Sequence, residues 1–397
     1  MRIMHISTRL ILGGSQENTV LSCEGQVRRG HAVSLVYGPI YGPEGSMLER
    51  VQAFRSPTGE RIENIETPNL TRELAPFRDP KCRRELRTLI RSWKPDVVHT
   101  HSSKAGILGR LAAWKEKIPC VVHTVHGPPF HAYEKKWRNA IYKFAERSAA
   151  KNCHKIICVA DAMRQQFLAA RIGKPEQYEI VYSGMEIAGY LSPASIDLTW
   201  TRENVRRELG FSPDDFVLGT IARLAELKGH DDLLDALADD MKRDPRIKLL
   251  WVGDGWLREK LSARINNLNL HKQVITTGLV PPEHIPKYLA AMDVLVHPSY
   301  REGLPRTVVQ GLLAGLPVIA YDVDGTREVC ITNQTGRLIQ PGDRAMLREA
   351  ALWMHDHPVE RGGLGKNGRE RCRERFSADT MVDHLLRIYE DVLANSR

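Results

Sequence analysis

The chain has 397 residues, of which 42% are hydrophobic and 26% are charged, and its formal net charge is +9. This composition excludes a disordered or fibrous protein, and the length is that of a globular chain with two domains. No apolar run reaches the roughly 18 residues of a membrane-spanning helix, and the first residues lack a signal-peptide pattern, so a cytoplasmic protein is expected.

The first half alternates short runs of β-branched residues with longer amphipathic stretches. Strands are predicted at residues 3–7, 33–37, 97–100, 121–125, 156–159 and 180–182. Helices are predicted at residues 17–29, 81–93, 104–114, 135–150 and 161–169. This alternation is typical of a parallel sheet covered by helices.

The second half repeats the alternation after a segment rich in Gly, Ser and Pro. Strands are predicted at residues 217–222, 248–252, 274–277, 294–296 and 318–321, and helices at 203–209, 231–240, 257–268, 285–292, 306–313, 344–355 and 380–394. We therefore predict an N-terminal Rossmann-like domain (1–185), a linker (186–212), a C-terminal Rossmann-like domain (213–378) and a helix (379–397) that packs back towards the first domain. Two doubly wound domains of this kind would face each other across a cleft at the carboxyl ends of their strands.

Gly13 and Gly14 follow the first strand and precede a helix. Glycine permits a close approach of the backbone, and a helix N-terminus offers N–H groups to an anion; an ordinary strand-to-helix turn is the alternative. The sequence has neither the Gly-x-Gly-x-x-Gly fingerprint nor a P-loop at this position, which disfavours a nicotinamide enzyme and an NTPase.

Arg223 and Lys228 follow the first strand of the second domain, five positions apart. Two permanent cations at this place suit a diphosphate, because they neutralise its charge without a metal; a solvated basic loop is the alternative. Gly253-Asp254-Gly255 forms a second glycine turn after a strand.

Residues 298–310 carry the most informative motif. Glu302 ends a loop, and Gly303 to Pro305 open a helix whose N–H groups can receive phosphate oxygens. A carboxylate in such a place requires a polar partner such as sugar hydroxyls, because burying it alone is costly. The His, Cys and carboxylate spacings match no metal site, so neither a metal nor another cofactor is expected.

Taken together, these motifs resemble those of the family-4 retaining glycosyltransferases, which have the GT-B fold. The resemblance runs through Thr100 to Gly106, Thr124 to Gly127, Arg223 to Gly229, Gly253 to Gly255, Glu302 to Pro305 and Thr335-Gly336. It implies transfer of a sugar from a nucleotide-sugar to a glycan, with retention and without a metal, by positioning and by stabilising the departing diphosphate.

The resemblance also implies residue roles. Catalytic roles fall to Arg223 and Lys228 on the diphosphate, to Glu302 on the donor sugar and to His126 against the transferred sugar. The remaining donor-binding residues are Gly14, Gly253, Asp254, Gly303, Leu304 and Gln310. The residues implied near the acceptor, in the cleft, are Gly13, Gly14, His101, Lys104 and His126. The family pattern is Glu-x7-Glu, and Gln310 replaces its second acid, which usually holds the ribose; the amide keeps an acceptor but lacks the charge.

Residues 1–190 carry 29 Lys/Arg and 18 Asp/Glu, a net charge of +11, whereas residues 191–397 carry 28 and 30, a net of −2. Helices 81–93 and 135–150 are both basic and amphipathic, which favours a peripheral contact with an anionic membrane surface; core-facing helices with a solvated basic face are the alternative.

The segment 126–131 resembles that of enzymes that extend polyprenyl-diphosphate-linked sugars for surface polysaccharides, so a lipid-linked acceptor and a UDP-sugar donor are expected. A soluble small-molecule acceptor and a sugar-nucleotide epimerase on the same scaffold are alternatives. A nucleic-acid partner is not expected, because no nucleic-acid-binding motif accompanies the basic charge.

Overall fold

The protein, described by a computed structural model over residues 1–40, 45–73 and 75–395, divides into two compact units. Unit 1 comprises Met1–Met185 and Phe376–Arg397, and unit 2 comprises Glu186–Arg375. The predicted linker 186–212 therefore lies within unit 2. The predicted ranges 1–185 and 379–397 include residues 41–44, 74, 396 and 397, which lie outside the described residues.

Within its described residues, unit 1 has a seven-stranded parallel sheet. Its strands are β1 (Arg2–Ser7), β2 (Ala32–Tyr37), β3 (Glu63–Glu66), β4 (Val97–His101), β5 (Cys120–Val125), β6 (Lys155–Cys158) and β7 (Tyr178–Ile180). The sheet order is β3-β2-β1-β4-β5-β6-β7. Its first helices are α1 (Gly14–Arg28), α2 (Leu48–Ala53), α3 (Arg78–Trp93), α4 (Ser103–Lys115), α5 (Lys136–Ala150) and α6 (Asp161–Ala169).

Unit 2 begins with helices α7 (Ala188–Leu191) and α8 (Arg202–Glu208) and contains a six-stranded parallel sheet. The strands are β8 (Phe216–Ile221), β9 (Ile247–Val252), β10 (Val274–Thr276), β11 (Val294–His297), β12 (Val318–Tyr321) and β13 (Gly336–Ile339), in the order β10-β9-β8-β11-β12-β13. The other helices are α9 (His230–Arg243), α10 (Arg258–Asn267), α11 (Ile285–Ala291), α12 (Arg306–Leu313), α13 (Arg344–Asp356) and α14 (Pro358–Arg375). Helix α15 (Ala378–Asn395) returns the chain to unit 1.

The predicted alternation is confirmed. Each predicted strand is present with its ends within two residues of the prediction, and each predicted helix within three. The sequence did not predict β3, β13, α2, α7 and α14.

Both sheets reverse their order at one point, between β1 and β4 in unit 1 and between β8 and β11 in unit 2. Ligands of doubly wound sheets bind beyond the carboxyl ends of the strands at this switch point. Arg223 follows β8 and Glu302 follows β11, so the two main predicted motifs of unit 2 flank its switch point. Gly13 follows β1 in the same way in unit 1.

No helix in the described ranges has the combination of length and apolar character that crossing a membrane requires.

Candidate functional site

Glu302 lies in the loop between β11 and α12, where one of its carboxylate oxygens joins two partners. Lys228 Nζ lies 2.6 Å from Glu302 Oε1, and His297 Nε2 lies 3.0 Å from the same oxygen. The backbone N–H of Glu302 donates to Asp324 Oδ2 at 2.8 Å, which fixes the loop from the side of β12. The structure therefore brings together Lys228 and Glu302, two residues that the sequence motifs named separately.

The second carboxylate oxygen, Oε2, has no hydrogen-bond partner within the described part of the chain, and the side chain remains 15% exposed. Burial raises the pKa of the Glu302 carboxyl, but the charges and hydrogen bonds of Lys228 and His297 outweigh burial and hold that pKa well below its usual range. Glu302 is thus an ionised acceptor with one oxygen available to a hydroxyl group.

His297 and Asp324 are site residues whose contacts with Glu302 the sequence analysis missed. His297 ends β11, and its Nδ1 lies 3.2 Å from the Thr307 hydroxyl on α12. Because Nε2 faces a carboxylate, which only accepts, Nε2 carries a proton and donates to Glu302. The sequence signal for His297 is its position: it is a polar residue that directly follows the predicted buried strand 294–296.

Gly303 and Leu304 lead into α12, whose N-terminus has no side-chain cap. The partial positive charge of this helix end favours an anion nearby. The carbonyl oxygen of Gly303 accepts from the backbone N–H of Gly325 at 3.1 Å, and the side chain of Leu304 is buried. This turn joins the ionised Glu302 to the N-terminal end of α12.

Arg223 is exposed in the loop after β8, with its guanidinium carbon 5.8 Å from the centre of the Trp256 ring. It forms no ion pair with any residue in the described ranges, so its charge is available to a ligand. Arg223 contrasts with Lys228, whose ammonium is held by Glu302 and, at 3.3 Å, by the Ser299 hydroxyl.

Two glycines allow these loops to approach each other closely. Gly229 has φ of 73°, and a Cβ atom there would lie 2.1 Å from the carbonyl oxygen of Pro298. Gly253 has φ of 138°, and a Cβ atom would lie 2.2 Å from the carbonyl oxygen of Ala222. Any other residue would force the loops apart. Gly229 therefore permits the contact between the Lys228 loop and the Glu302 loop.

Asp254 and Gln310 already have intramolecular partners. Asp254 accepts from Arg258 at 2.9 Å and from the N–H of Gly255 at 2.8 Å. Gln310 is buried in α12, and its Nε2 donates to the hydroxyl of Tyr190 at 2.9 Å. A ligand contact by either side chain stays a prediction and would require a change in these hydrogen bonds.

In unit 1, Gly13 is the residue before α1 and Gly14 is its first residue, with no side-chain cap at that end. Lys104 is almost buried: its ammonium lies 2.6 Å from Asp79 Oδ1 and contacts the carbonyl oxygen of Glu73. Lys104 therefore holds the end of α3 to α4, and its predicted contact with the acceptor would compete with this ion pair.

His101 and His126 are brought together by neighbouring strands. His101 Nδ1 lies 3.1 Å from His126 Nε2, and His101 is buried whereas His126 is partly exposed. Two further histidines, His5 and His99, are buried beside His101. The nitrogens of His5, His99 and His101 lie within 4.8 Å of one another, a grouping that could hold a metal ion and that sequence spacing did not reveal.

Acid is expected to destabilise unit 1 more than unit 2. Burial lowers the pKa of His5 from 6.5 to about 4 and holds that of three neighbours, His99, His101 and His123, well below 6.5. Because the folded pKa is depressed, the stability from neutral His5 is complete above pH 6.5 and is lost as the pH falls towards 4; at pH 5 the loss is about 2 kcal/mol for His5 alone.

Unit 2 provides the internal comparison, because burial lowers the pKa of its His230 to about 4 as well. Urea unfolding would be measured at pH 7.5 and at pH 5, with a pulse of hydrogen exchange at one common pH as the readout. Peptides of β1 and β4 would report the unfolding of unit 1, and peptides of β8 and β9 would report that of unit 2. If the urea midpoints of the two units shifted equally between the two pH values, the prediction would be contradicted.

The fold is shared with proteins of known structure. The Anabaena protein HepE, solved in complex with UDP and glucose, superposes with a TM-score of 0.81 over 98% of this chain and 99% of its own, at 19% identity. The fold is therefore that of GT-B glycosyltransferases, as predicted.

Two family models match the chain. Residues 12–188 match "Glycosyltransferase Family 4" and residues 201–371 match "Glycosyl transferases group 1". The UDP-Gal:α-D-GlcNAc-diphosphoundecaprenol α-1,3-galactosyltransferase of Escherichia coli is 30% identical over 83% of this chain and 84% of its own length. The capsular polysaccharide biosynthesis glycosyltransferase CapM of Staphylococcus aureus is 23% identical over 82% and 85%. The chain belongs to the family-4 glycosyltransferases.

Proposed function

We propose that this glycosyltransferase moves a sugar from a UDP-sugar, with retention and without a metal, to a polyprenyl-diphosphate-linked glycan in cell-surface polysaccharide biosynthesis. The observation that carries the proposal is the contact between Lys228 and Glu302 at the switch point of unit 2. The site holds a cation for a diphosphate and an ionised acceptor for sugar hydroxyls side by side.

Each of these residues has a separate role in the proposed reaction. Lys228 and Arg223 neutralise the negative charge that grows on the departing diphosphate, and the N-terminal end of the α12 dipole adds to them. Glu302 Oε2 accepts a hydrogen bond from a hydroxyl of the donor sugar and so orients the reacting carbon. The departing diphosphate then helps to remove the proton of the acceptor on the same face of the sugar. Arg223 and Lys228 take the place of a catalytic cation.

UDP as the nucleotide and a lipid-linked acceptor are supported by the neighbours. HepE is known in complex with UDP and glucose, and the E. coli relative is named for UDP-Gal and for GlcNAc-diphosphoundecaprenol. Family membership favours glycosyl transfer over epimerisation. A soluble acceptor is the alternative that the functional experiment distinguishes.

A donor screen tests the proposal. Purified protein with EDTA would be given UDP-, GDP- and ADP-sugars, with and without polyprenyl-diphosphate-GlcNAc, and both nucleotide release and the glycolipid product would be measured. Acceptor-dependent release from a UDP-sugar that survives EDTA and is lost in Glu302→Gln is the expected result. Glu208→Gln is the matched control, because Glu208 forms an exposed ion pair with Lys287 at 2.6 Å in the same unit. Release only with a soluble acceptor, or only without EDTA, would refute the proposal.

The proposed membrane contact rests on α5 and not on α3. Helix α3 buries Leu86 and Ile90 in the core of unit 1, and its Arg87 and Arg91 bind Glu116. It is a core-facing helix with a solvated basic face, the alternative considered from the sequence.

Helix α5 has the opposite arrangement. Trp137 and Phe144 are 59% and 73% exposed, and Ile141 is exposed between them. The residues that α5 buries are Glu146, Ala149 and Ala150. The exposed side also carries Lys135, Lys136, Arg138 and Arg147. An apolar stripe among cations fits the surface of a membrane with anionic lipids.

Removing the two aromatic rings of α5 is expected to weaken membrane binding. Trp137→Ser with Phe144→Ser should lower the affinity for phosphatidylglycerol vesicles roughly 30- to 1,000-fold, because each inserted ring contributes about 1–2 kcal/mol and about 1.4 kcal/mol is a factor of ten. Vesicle cosedimentation at low and high salt measures the effect. The matched control is Leu198→Ser with Val359→Ser, which removes two highly exposed apolar residues from unit 2. Equal losses in both double variants, or no loss in the first, would contradict the prediction.

A further inference from the structure

Histidines from three neighbouring strands form a buried cluster in unit 1. His5 lies on β1, directly opposite His99 on β4, and His101 follows on the same face of β4. His126 comes just after β5. His5, His99 and His101 are at most 1% exposed. Buried imidazoles are costly unless their nitrogens are hydrogen-bonded, so the bonds within this cluster determine what it does.

A continuous chain of hydrogen bonds runs from α1 to the partly exposed His126. Gln26 Oε1 lies 2.8 Å from His5 Nε2, His5 Nδ1 lies 2.9 Å from His101 Nε2, and His101 Nδ1 lies 3.1 Å from His126 Nε2. Both ring nitrogens of His5 and of His101 are therefore occupied. His99 is satisfied separately by the Tyr389 hydroxyl at 2.5 Å and the Thr124 hydroxyl at 2.7 Å. A metal bound by these rings would have to break this network.

The chain has a direction, because each neutral imidazole has one donor nitrogen and one acceptor nitrogen. Burial keeps the pKa of His5 at about 4 and that of His101 well below 6.5, so both are neutral at pH 7. The Gln26 carbonyl oxygen accepts the proton of His5 Nε2, which leaves His5 Nδ1 to accept from His101 Nε2. His101 Nδ1 is then left to accept from His126 Nε2.

The orientation of the Gln26 amide sets this direction. Its Nε2 lies 3.3 Å from the hydroxyl of Tyr389 on α15 and donates to it. The Tyr389 hydroxyl in turn donates to His99 Nδ1, and His99 Nε2 donates to Thr124. Both branches of the network are consistent with one orientation of the Gln26 amide, with its oxygen towards His5.

We propose that Gln26 is a positioning residue which, through His5 and His101, fixes His126 in the tautomer with the proton on Nε2. His126 is the residue that the family resemblance sets against the transferred sugar, so its tautomer bears on the proposed reaction. The role of His126 in transfer rests on the proposed function, whereas its tautomer rests on the orientation of the Gln26 amide and the chain of hydrogen bonds.

The test is ¹⁵N NMR of histidine-labelled full-length protein, with the His126 signals assigned from His126→Asn. The expected spectrum shows a protonated Nε2 and an unprotonated Nδ1 for His126. His5→Phe and Gln26→Leu should each shift His126 towards a mixture of tautomers and lower kcat/KM at least 10-fold. His123→Phe is the matched control: it replaces a buried ring on β5 that is bonded to Thr100 and lies outside the chain from Gln26, so the His126 tautomer should not change.

A His126 protonated on Nδ1, or an unchanged tautomer in both chain variants, would overturn the proposal. Stoichiometric metal retained by the wild type and lost in His99→Phe would overturn it as well, since the rings would then be ligands. The NMR measurement needs no substrate, so the two proposals can fail separately. If His126 has the expected tautomer but the protein transfers sugar from no UDP-sugar, the proposed function is refuted and the hydrogen-bond network is not.

Discussion

Replacing Lys228 with alanine should lower kcat/KM for sugar transfer by roughly 10²- to 10³-fold, the usual effect of removing one donor from a site where charge develops. Lys228 is the cation 2.6 Å from Glu302, and it lies at the switch point where a diphosphate is expected to bind. Without it, burial of Glu302 is opposed by His297 alone, so the pKa of the carboxyl rises towards its usual range. On the proposed function, the variant would change both the stabilisation of the leaving group and the contact of Glu302 with the sugar.

Steady-state transfer with saturating acceptor measures this effect, and thermal unfolding shows whether unit 2 remains folded. Lys287→Ala is the matched control, because Lys287 forms an ion pair of the same length with Glu208 far from the motifs in sequence. Lys228→Arg keeps the charge but changes the donor geometry, so it should recover only part of the activity. A Lys228→Ala enzyme as active as Lys287→Ala would show that this cation does not act on the reaction.

The fold was predictable from the sequence wherever a strand is buried on both faces. Strands β3 and β13 were missed, and both lie at edges of their sheets. Strand β3 reads Glu-Asn-Ile-Glu, which has almost no apolar signal. Pattern-based prediction depends on that signal, so β3 escaped it, whereas the short edge strands β7 and β10, which contain Ile or Val, were predicted.

Helix α14 was missed for a different reason. Its sequence contains several glycines, which normally indicate a loop. In the structure two of these glycines allow close packing: a Cβ atom at Gly365 would lie 2.0 Å from the carbonyl oxygen of Gly315, and one at Gly368 would lie 2.4 Å from Leu312. Only the tertiary contact with α12 explains why this segment is helical.

The site was predictable to the extent that it lies in contiguous motifs. Lys228 and Glu302 were identified from their own loops, but the contact of Glu302 with His297 and Asp324 depends on how three strands end at one edge of the sheet. Helices α3 and α5 show a similar limit, because their sequences have the same basic amphipathic pattern. The two helices differ in the side that each of them buries. The residue in the sequence that indicates this difference is Glu146, an acid on the buried side of α5.

Loss of the ion pair formed by Glu146 is expected to lower the stability of the protein more than any other change considered. Arg110 on α4 and Glu146 on α5 form an ion pair of 2.7 Å in which both side chains are at most 2% exposed. Arg110 also donates to the carbonyl oxygen of Gly106 at 2.7 Å. Arg110→Met should destabilise unit 1 by about 3–5 kcal/mol, because it leaves the Glu146 charge buried without its partner. This loss is a large part of the stability of a typical domain.

The double variant Arg110→Met with Glu146→Leu should recover most of that loss, since two apolar side chains replace a pair whose desolvation is itself costly. Urea unfolding read from unit 1 peptides by hydrogen exchange measures both variants, with unit 2 peptides as the reference. If the ion pair is what holds α5 with its aromatic stripe outward, vesicle binding should fall in Arg110→Met and return in the double variant, although Trp137 and Phe144 are unchanged in both. If Arg110→Met is as stable as the wild type, Glu146 must bind water or another partner in place of Arg110. The ion pair between Arg110 and Glu146 would then not explain why α5 exposes its apolar side.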